Sequence, residues 1–166
     1  MAQLGRSACM NVAQTILLLL ALAIGVLTIV LFRRRDGWRY RTETLPQLGK
    51  VDAAYNRGNL VHYRLRKHGV LLEIMCGCPE AVSAGVERVQ ALSKEDIDSY
   101  LQHAVAAIPE TELKPWGFDK GKWKMETITI RSDGSLGFDL GNSSDRDHVC
   151  LVSLEDGKYS FEAVDG

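Results

Sequence analysis

From Ser7 to Phe32 the chain carries no charged residue, and within that stretch Val12–Phe32 reads VAQTILLLLALAIGVLTIVLF, 21 residues. At about 1.5 Å per residue this is a helix of roughly 30 Å, the thickness of a hydrocarbon layer. Apolar residues cover every face of it, which sets it apart from a helix that buries one stripe against a soluble core. Its polar members, Gln14, Thr15 and Thr28, are uncharged, and a helical threonine can bond its own backbone. A single transmembrane helix over 12–32 is expected, after a tail of residues 1–11, so the rest of the chain folds on one side of a membrane.

A cleaved signal peptide needs a shorter apolar run and small residues before the cut. Here Leu31-Phe32-Arg33-Arg34-Arg35 closes the run, so the segment stays attached. Cys9 precedes the run, whereas a lipoprotein cysteine follows one. Arg6 lies before the helix, and Arg33, Arg34, Arg35, Arg39 and Arg41 lie just after it. The positive-inside bias then places the chain in the cell membrane as a single-pass protein with its C-terminal part in the cytoplasm. Arg33, Arg34 and Arg35 are expected to flank the membrane, where they would meet anionic headgroups, and fixing topology is the plainer role for them.

The 166 residues are 46 % hydrophobic, enough for one folded domain and hardly two. The formal charge of −1 conceals an asymmetry: residues 1–67 hold 11 Lys+Arg and 3 Asp+Glu, residues 68–166 hold 9 and 18. Such a chain offers its two ends to different partners. Four cysteines are too few for a disulfide scaffold. A basic linker over 33–46 and a globular domain over 47–166 follow.

Within 46–58 a short helix around Val51–Tyr55 is the expected element. Val61, Tyr63 and Leu65 alternate with His62, Arg64 and Arg66, the period of a half-exposed strand. His68-Gly69 supplies a turn into a second strand, Val70–Met75. Two helices come next: one opens at Pro79 with a Val82, Val86, Val89 stripe, the other at Ser93 with Asp96 in a capping box. Pro109 stops the second. Strands over 127–130, 136–140, 148–154 and 159–163 follow, and two Asp-Gly pairs fit tight turns. The expected fold class is α+β: a β-hairpin, two helices and a four-strand meander in an antiparallel sheet.

The closing pattern ITIRSDGSLGFDL…DRDHVCLVSLEDGKYSFEAVDG resembles the terminal paired hairpins of small bacterial immunity-protein-like domains, over about a quarter of the chain. It departs from them at Asn142-Ser143-Ser144, where an aromatic stretch is common, and in its membrane anchor. The resemblance implies a bacterial binding module and carries over no functional residue.

Cys76-Gly77-Cys78-Pro79 lies at a strand-to-helix junction, with Cys78 at the N-cap, where a thiolate is favoured. His148-Val149-Cys150 lies far along the chain, both outer residues on one face of a strand. Cys76, Cys78, His148 and Cys150 form a ligand set suited to tetrahedral zinc, although Cys-x-Cys is shorter than the usual knuckle. The same thiols suit a redox pair, and the plainest reading makes them small core and cap residues. The loop Ser143–Asp147 is expected to be solvated, and His62 and His68 to be surface residues. Asn142-Ser143-Ser144 has the glycosylation spacing, without meaning in a cytoplasmic domain.

The chain contains no phosphate-cradling loop, His-Glu-x₂-His, Gly-x-Ser-x-Gly or dinucleotide fingerprint. Charge points to binding instead. Residues 132–166 hold eight Asp+Glu and two Lys+Arg, with Asp133, Asp145, Asp147, Glu155 and Asp156 in expected turns. Such a rim steers a basic protein partner and repels nucleic acid. The expected function is a membrane-anchored, non-catalytic protein-binding domain, immunity-like in one version. The alternatives are a zinc- or redox-dependent protein using Cys76, Cys78 and Cys150, or an accessory subunit whose helix, with Ala21 and Gly25, is itself an interface.

Overall fold

The computed structural model describes residues 37–166. The expected spanning helix, the tail before it and Arg33, Arg34 and Arg35 lie outside the described residues. Among those described, no helix is long and apolar enough to cross a membrane. Arg39–Gly166 forms one compact unit.

Eight strands make one sheet: β1 (Trp38–Leu45), β2 (Gly49–Asn56), β3 (Asn59–Lys67), β4 (Val70–Met75), β5 (Trp123–Ile130), β6 (Leu136–Asn142), β7 (Asp145–Glu155) and β8 (Lys158–Asp165). Each neighbours the next, in chain order from β1 to β8. Between β4 and β5 come α1 (Pro79–Ala91), α2 (Lys94–Ala106), the single turn α3 (Glu110–Leu113) and a 3-10 turn at Phe118–Lys120. The domain is α+β, with a mixed, mostly antiparallel sheet and two principal helices.

Local chemistry accounts for most of these elements. At Arg57-Gly58, His68-Gly69 and Asp156-Gly157 both turn residues have positive φ, the backbone twist that lets a two-residue loop match its flanking strands. The Ser93 box closes on itself: Asp96 N donates to Ser93 Oγ (3.0 Å) and Ser93 N to Asp96 Oδ2 (2.8 Å). Gly85 is a weak helix former, yet it lets α1 reach the sheet, because a Cβ there would stand 2.5 Å from Ile74 Cγ2. The core gathers Leu72 and Ile74 of β4, Ile128 and Ile130 of β5, Leu136, Phe138 and Leu140 of β6, and Cys150 and Val152 of β7. Val86 and Val89 of α1 and Ile97 and Ala104 of α2 pack against them.

The structure corrects several expectations. Trp38–Leu45, expected within the linker, is β1, and Val51–Tyr55, expected as a helix, lies in β2. Val51, Ala53 and Ala54 are buried, and extended pairing with β3 at Ala53↔Tyr63 and Ala54↔His62 overrides the local helix propensity of alanine. The sheet is not purely antiparallel: β4 and β5 run parallel, with Leu72 opposite Ile128. Residues 107–122 carry the chain to the β6–β7 turn, where Ser143 N donates to Lys122 O (3.0 Å), so β5 starts there. The stretch Ser143–Asp147 is solvated as expected, with Ser143, Ser144, Arg146 and Asp147 exposed, but the turn itself is only Ser143-Ser144 and β7 begins at Asp145. His62 is buried on β3 between Ala54 and Met75, and burial holds its imidazole pKa below the ordinary value.

Candidate functional site

A meander opens successive turns at alternate ends of the sheet, so the five expected rim carboxylates divide into two groups. Asp133 of the β5–β6 loop and Glu155 and Asp156 of the β7–β8 turn stand at one end. They border a cleft of about 330 Å³ formed by residues 133–135 and 154–157 together with Arg88 of α1. Asp145 and Asp147 stand at the other end, beside the β6–β7 turn.

The cleft is built by turn chemistry. Asp133 Oδ1 accepts from Ser135 Oγ (2.7 Å) and Ser135 N (2.9 Å), and these bonds hold its carboxyl below the usual range. Arg131 N donates to Ser135 O (3.0 Å), closing a five-residue loop longer than the tight turn its Asp-Gly pair suggests, and Gly134 N donates to Arg131 O (3.0 Å) within it. Across the cleft the Asp156-Gly157 turn pairs Glu155 with Lys158. Arg88 reaches from α1, and its Nη1 donates to Gly134 O (2.7 Å). Arg88 carried no sequence signal as a site residue, since it reads as an ordinary last-turn cation of a helix. Three carboxylates and one guanidinium leave the cleft negative, a setting for an ammonium or guanidinium from a partner.

No protein-family model matches this chain, and neither a curated protein nor a solved structure matches it.

At the opposite end Asp147 is exposed and the Asp145 carboxylate is engaged. Asp145 Oδ1 accepts from Asp147 N (2.9 Å), and Oδ2 lies 2.9 Å from His148 Nδ1. The Asp147 amide, then His148, hold the Asp145 carboxyl below its ordinary range. The His148 ring sits 4.4 Å from that of Trp116, so it belongs to the packing of this end.

Asn142-Ser143-Ser144 has a structural part that its spacing concealed. Asn142 is buried; its Nδ2 donates to Phe118 O (2.9 Å), and its Oδ1 accepts from Ser144 N (3.0 Å) and Ser144 Oγ (2.7 Å). Ser144 Oγ also lies 2.9 Å from Gly117 O, so its single hydroxyl proton is shared between that carbonyl and Asn142 Oδ1. A Cβ at Gly121 would overlap Asn142 Oδ1, so glycine is needed where this lock closes. The bonds tie the 3-10 turn to the sheet and so set where β5 begins.

The four expected zinc ligands do not converge, and among the described residues no group of three or more His, Cys, Asp or Glu could hold a metal. Cys76 and Cys78 flank the end of β4, whereas His148 and Cys150 lie toward the start of β7, with β5 and β6 between. Cys76 is half-buried and Cys150 fully buried, and burial pushes each thiol up to about 11. Burial thus favours the protonated thiol at both positions. Cys78 does occupy the N-cap of α1, exposed and extended, but its side chain does not cap the helix.

A second polar cluster, also without a sequence signal, lies by β1. Both Tyr55 Oη and Tyr63 Oη (3.4 Å) donate to the carboxylate of Glu43. Burial, reinforced by Glu43, pushes the Tyr63 phenol up to about 12.

Proposed function

We propose that this protein is anchored in the cell membrane by its 12–32 segment and binds a basic protein through the cleft at the β5–β6 and β7–β8 turns. The binding is non-catalytic, with the domain on the cytoplasmic side. An immunity-like inhibitor of a basic toxin is the concrete version, in keeping with the resemblance of the closing hairpins. The observation that carries the reading is the cleft of about 330 Å³ bordered by Asp133, Glu155 and Asp156. Complementary charge there steers encounter and selects against acidic partners.

Two charge-reversal sets test it, each expressed in the full chain. Asp133→Lys with Glu155→Lys and Asp156→Lys should weaken capture of the basic partner by about tenfold or more. Asp145→Lys with Asp147→Lys, at the far end, should leave it in place. Equal capture by wild type and the first set refutes the assignment of the cleft.

A further inference from the structure

Because the strands lie in the sheet in chain order, whatever changes along the sequence changes across the sheet. Charge does. Residues 37–69, which form β1–β3 and their turns, carry seven Lys+Arg against two Asp+Glu. Residues 123–166, which form β5–β8, carry four against nine. Seven strand spacings of about 4.8 Å put the two edges roughly 30 Å apart. A fold with shuffled strand order would have mixed these charges; this one separates them.

On the basic side Arg39 and Arg41 are exposed on the outermost strand, and Lys50, Arg57 and Arg66 are exposed on β2, its turn and β3. Arg41 lies 5.6 Å from the centre of the Tyr55 ring, and Arg64, which is partly buried and paired with Glu73 of β4 (2.6 Å), lies 5.9 Å from that of Tyr40. Tyr40 is itself 58 % exposed. Guanidinium groups beside amphipathic rings at a surface suit a headgroup layer, where the ring meets acyl boundary and the cation meets phosphate. The two acids on this side are engaged, Glu43 by the two tyrosines and Asp52 by Thr42 (3.2 Å).

Chain length adds a second constraint. Six residue steps separate Phe32 from Trp38, a reach of at most about 20 Å when fully extended. If the apolar run ends at the membrane face, β1 starts within that distance of the headgroups, with Arg33, Arg34 and Arg35 between. We infer that the β1–β3 edge docks on anionic phospholipid headgroups and turns the β5–β8 edge, with its cleft, away from the bilayer. This rests on the membrane-anchored reading above.

Hydrogen exchange of the full chain tests it, in nanodiscs of neutral phosphatidylcholine and in discs with about 30 % phosphatidylglycerol. Amides of residues 38–45 should exchange about fivefold or more slowly in the anionic discs, with β8 unchanged. The slowing should vanish in about 0.5 M salt and in the Arg39→Glu, Arg41→Glu, Arg66→Glu variant. The salt arm needs no variant to fold. Insertion into both discs with equal exchange overturns the docking and leaves the anchor standing. Failure to insert into either disc overturns the anchor and the docking with it. Slowing in neutral discs on adding duplex DNA, without an effect of anionic lipid, assigns the edge to nucleic acid and also overturns the proposal.

Discussion

Strands β1 and β6 are of nearly equal length in the same sheet, eight and seven residues, yet burial treats them as opposites. Six of the eight β1 residues are exposed, whereas six of the seven in β6 are buried. β6 runs beneath α2, with the Phe138 ring 5.5 Å from Tyr100 and 5.9 Å from Tyr159. β1 is an outer strand secured by polar contacts: Thr42 to Asp52, Glu43 to Tyr55 and Tyr63, and Arg41 over Tyr55. The two strands are thus stabilised by different physics. Apolar burial is non-directional and holds the centre of the sheet, while directional, partly hydrated bonds order its basic edge.

The comparison breaks most visibly at Phe138. Phe138→Ala should cost about 3–5 kcal/mol, a large share of the stability of a domain this size, read as a drop in the urea midpoint with an unchanged slope. A loss under about 1 kcal/mol, the size of a surface change, would mean that β6 is not the centre of the core.

A smaller effect is expected on the other side. Glu43→Ala removes the acceptor shared by Tyr55 and Tyr63, at a cost of about 0.5–1.5 kcal/mol. Hydrogen exchange should rise in β1 and β2 and stay constant in β6, since outer strands open without global unfolding. Faster exchange throughout would show that the two halves unfold as one.

The smallest effect sharpens the comparison through pH. Asp139 sits on β6 between Phe138 and Leu140, and its carboxyl is raised by burial, with Glu73, Glu126 and Asp165 adding to the rise against a Thr127 hydrogen bond. A carboxyl whose folded pKa lies above its unfolded value favours the fold when protonated. That contribution is complete below the unfolded pKa and is lost as pH rises through the folded one. Asp139→Asn should therefore raise the Tm at neutral pH, with the gain fading to nothing below about pH 4. A gain constant across that range would assign the effect to something other than ionisation.

Legibility in the sequence divides along the same line as the packing. Val70–Met75 and the Ser93 helix announce themselves because one face of each is buried and burial imposes a period, and Leu136–Leu140 because apolar residues recur at every second position beside an Asp-Gly turn. Residues 38–45 read WRYRTETL, without a buried face and so without an apolar period to detect. The turn placement of Asp133, Glu155 and Asp156 is legible from Asp-Gly turn chemistry. Asp145 and Asp147 look the same in sequence, although alternate turns of a meander face opposite ends. Arg88 and the Asn142 lock left no local trace, since each acts on atoms more than twenty residues away.

What the sequence determined alone is what depends on near neighbours: the 21-residue apolar run, the capped helix, the hairpin turns and the charge gradient from one end of the chain to the other. What only the tertiary structure decided depends on partners distant in the chain. The parallel pairing of β4 with β5 follows from where Asn142 and Ser143 hold residues 117–122. The separation of Cys76 and Cys78 from His148 and Cys150 follows from the two strands between them. The strand order that sets a basic edge opposite an acidic one follows from which apolar faces could be buried together, a choice made by packing and not by local preference.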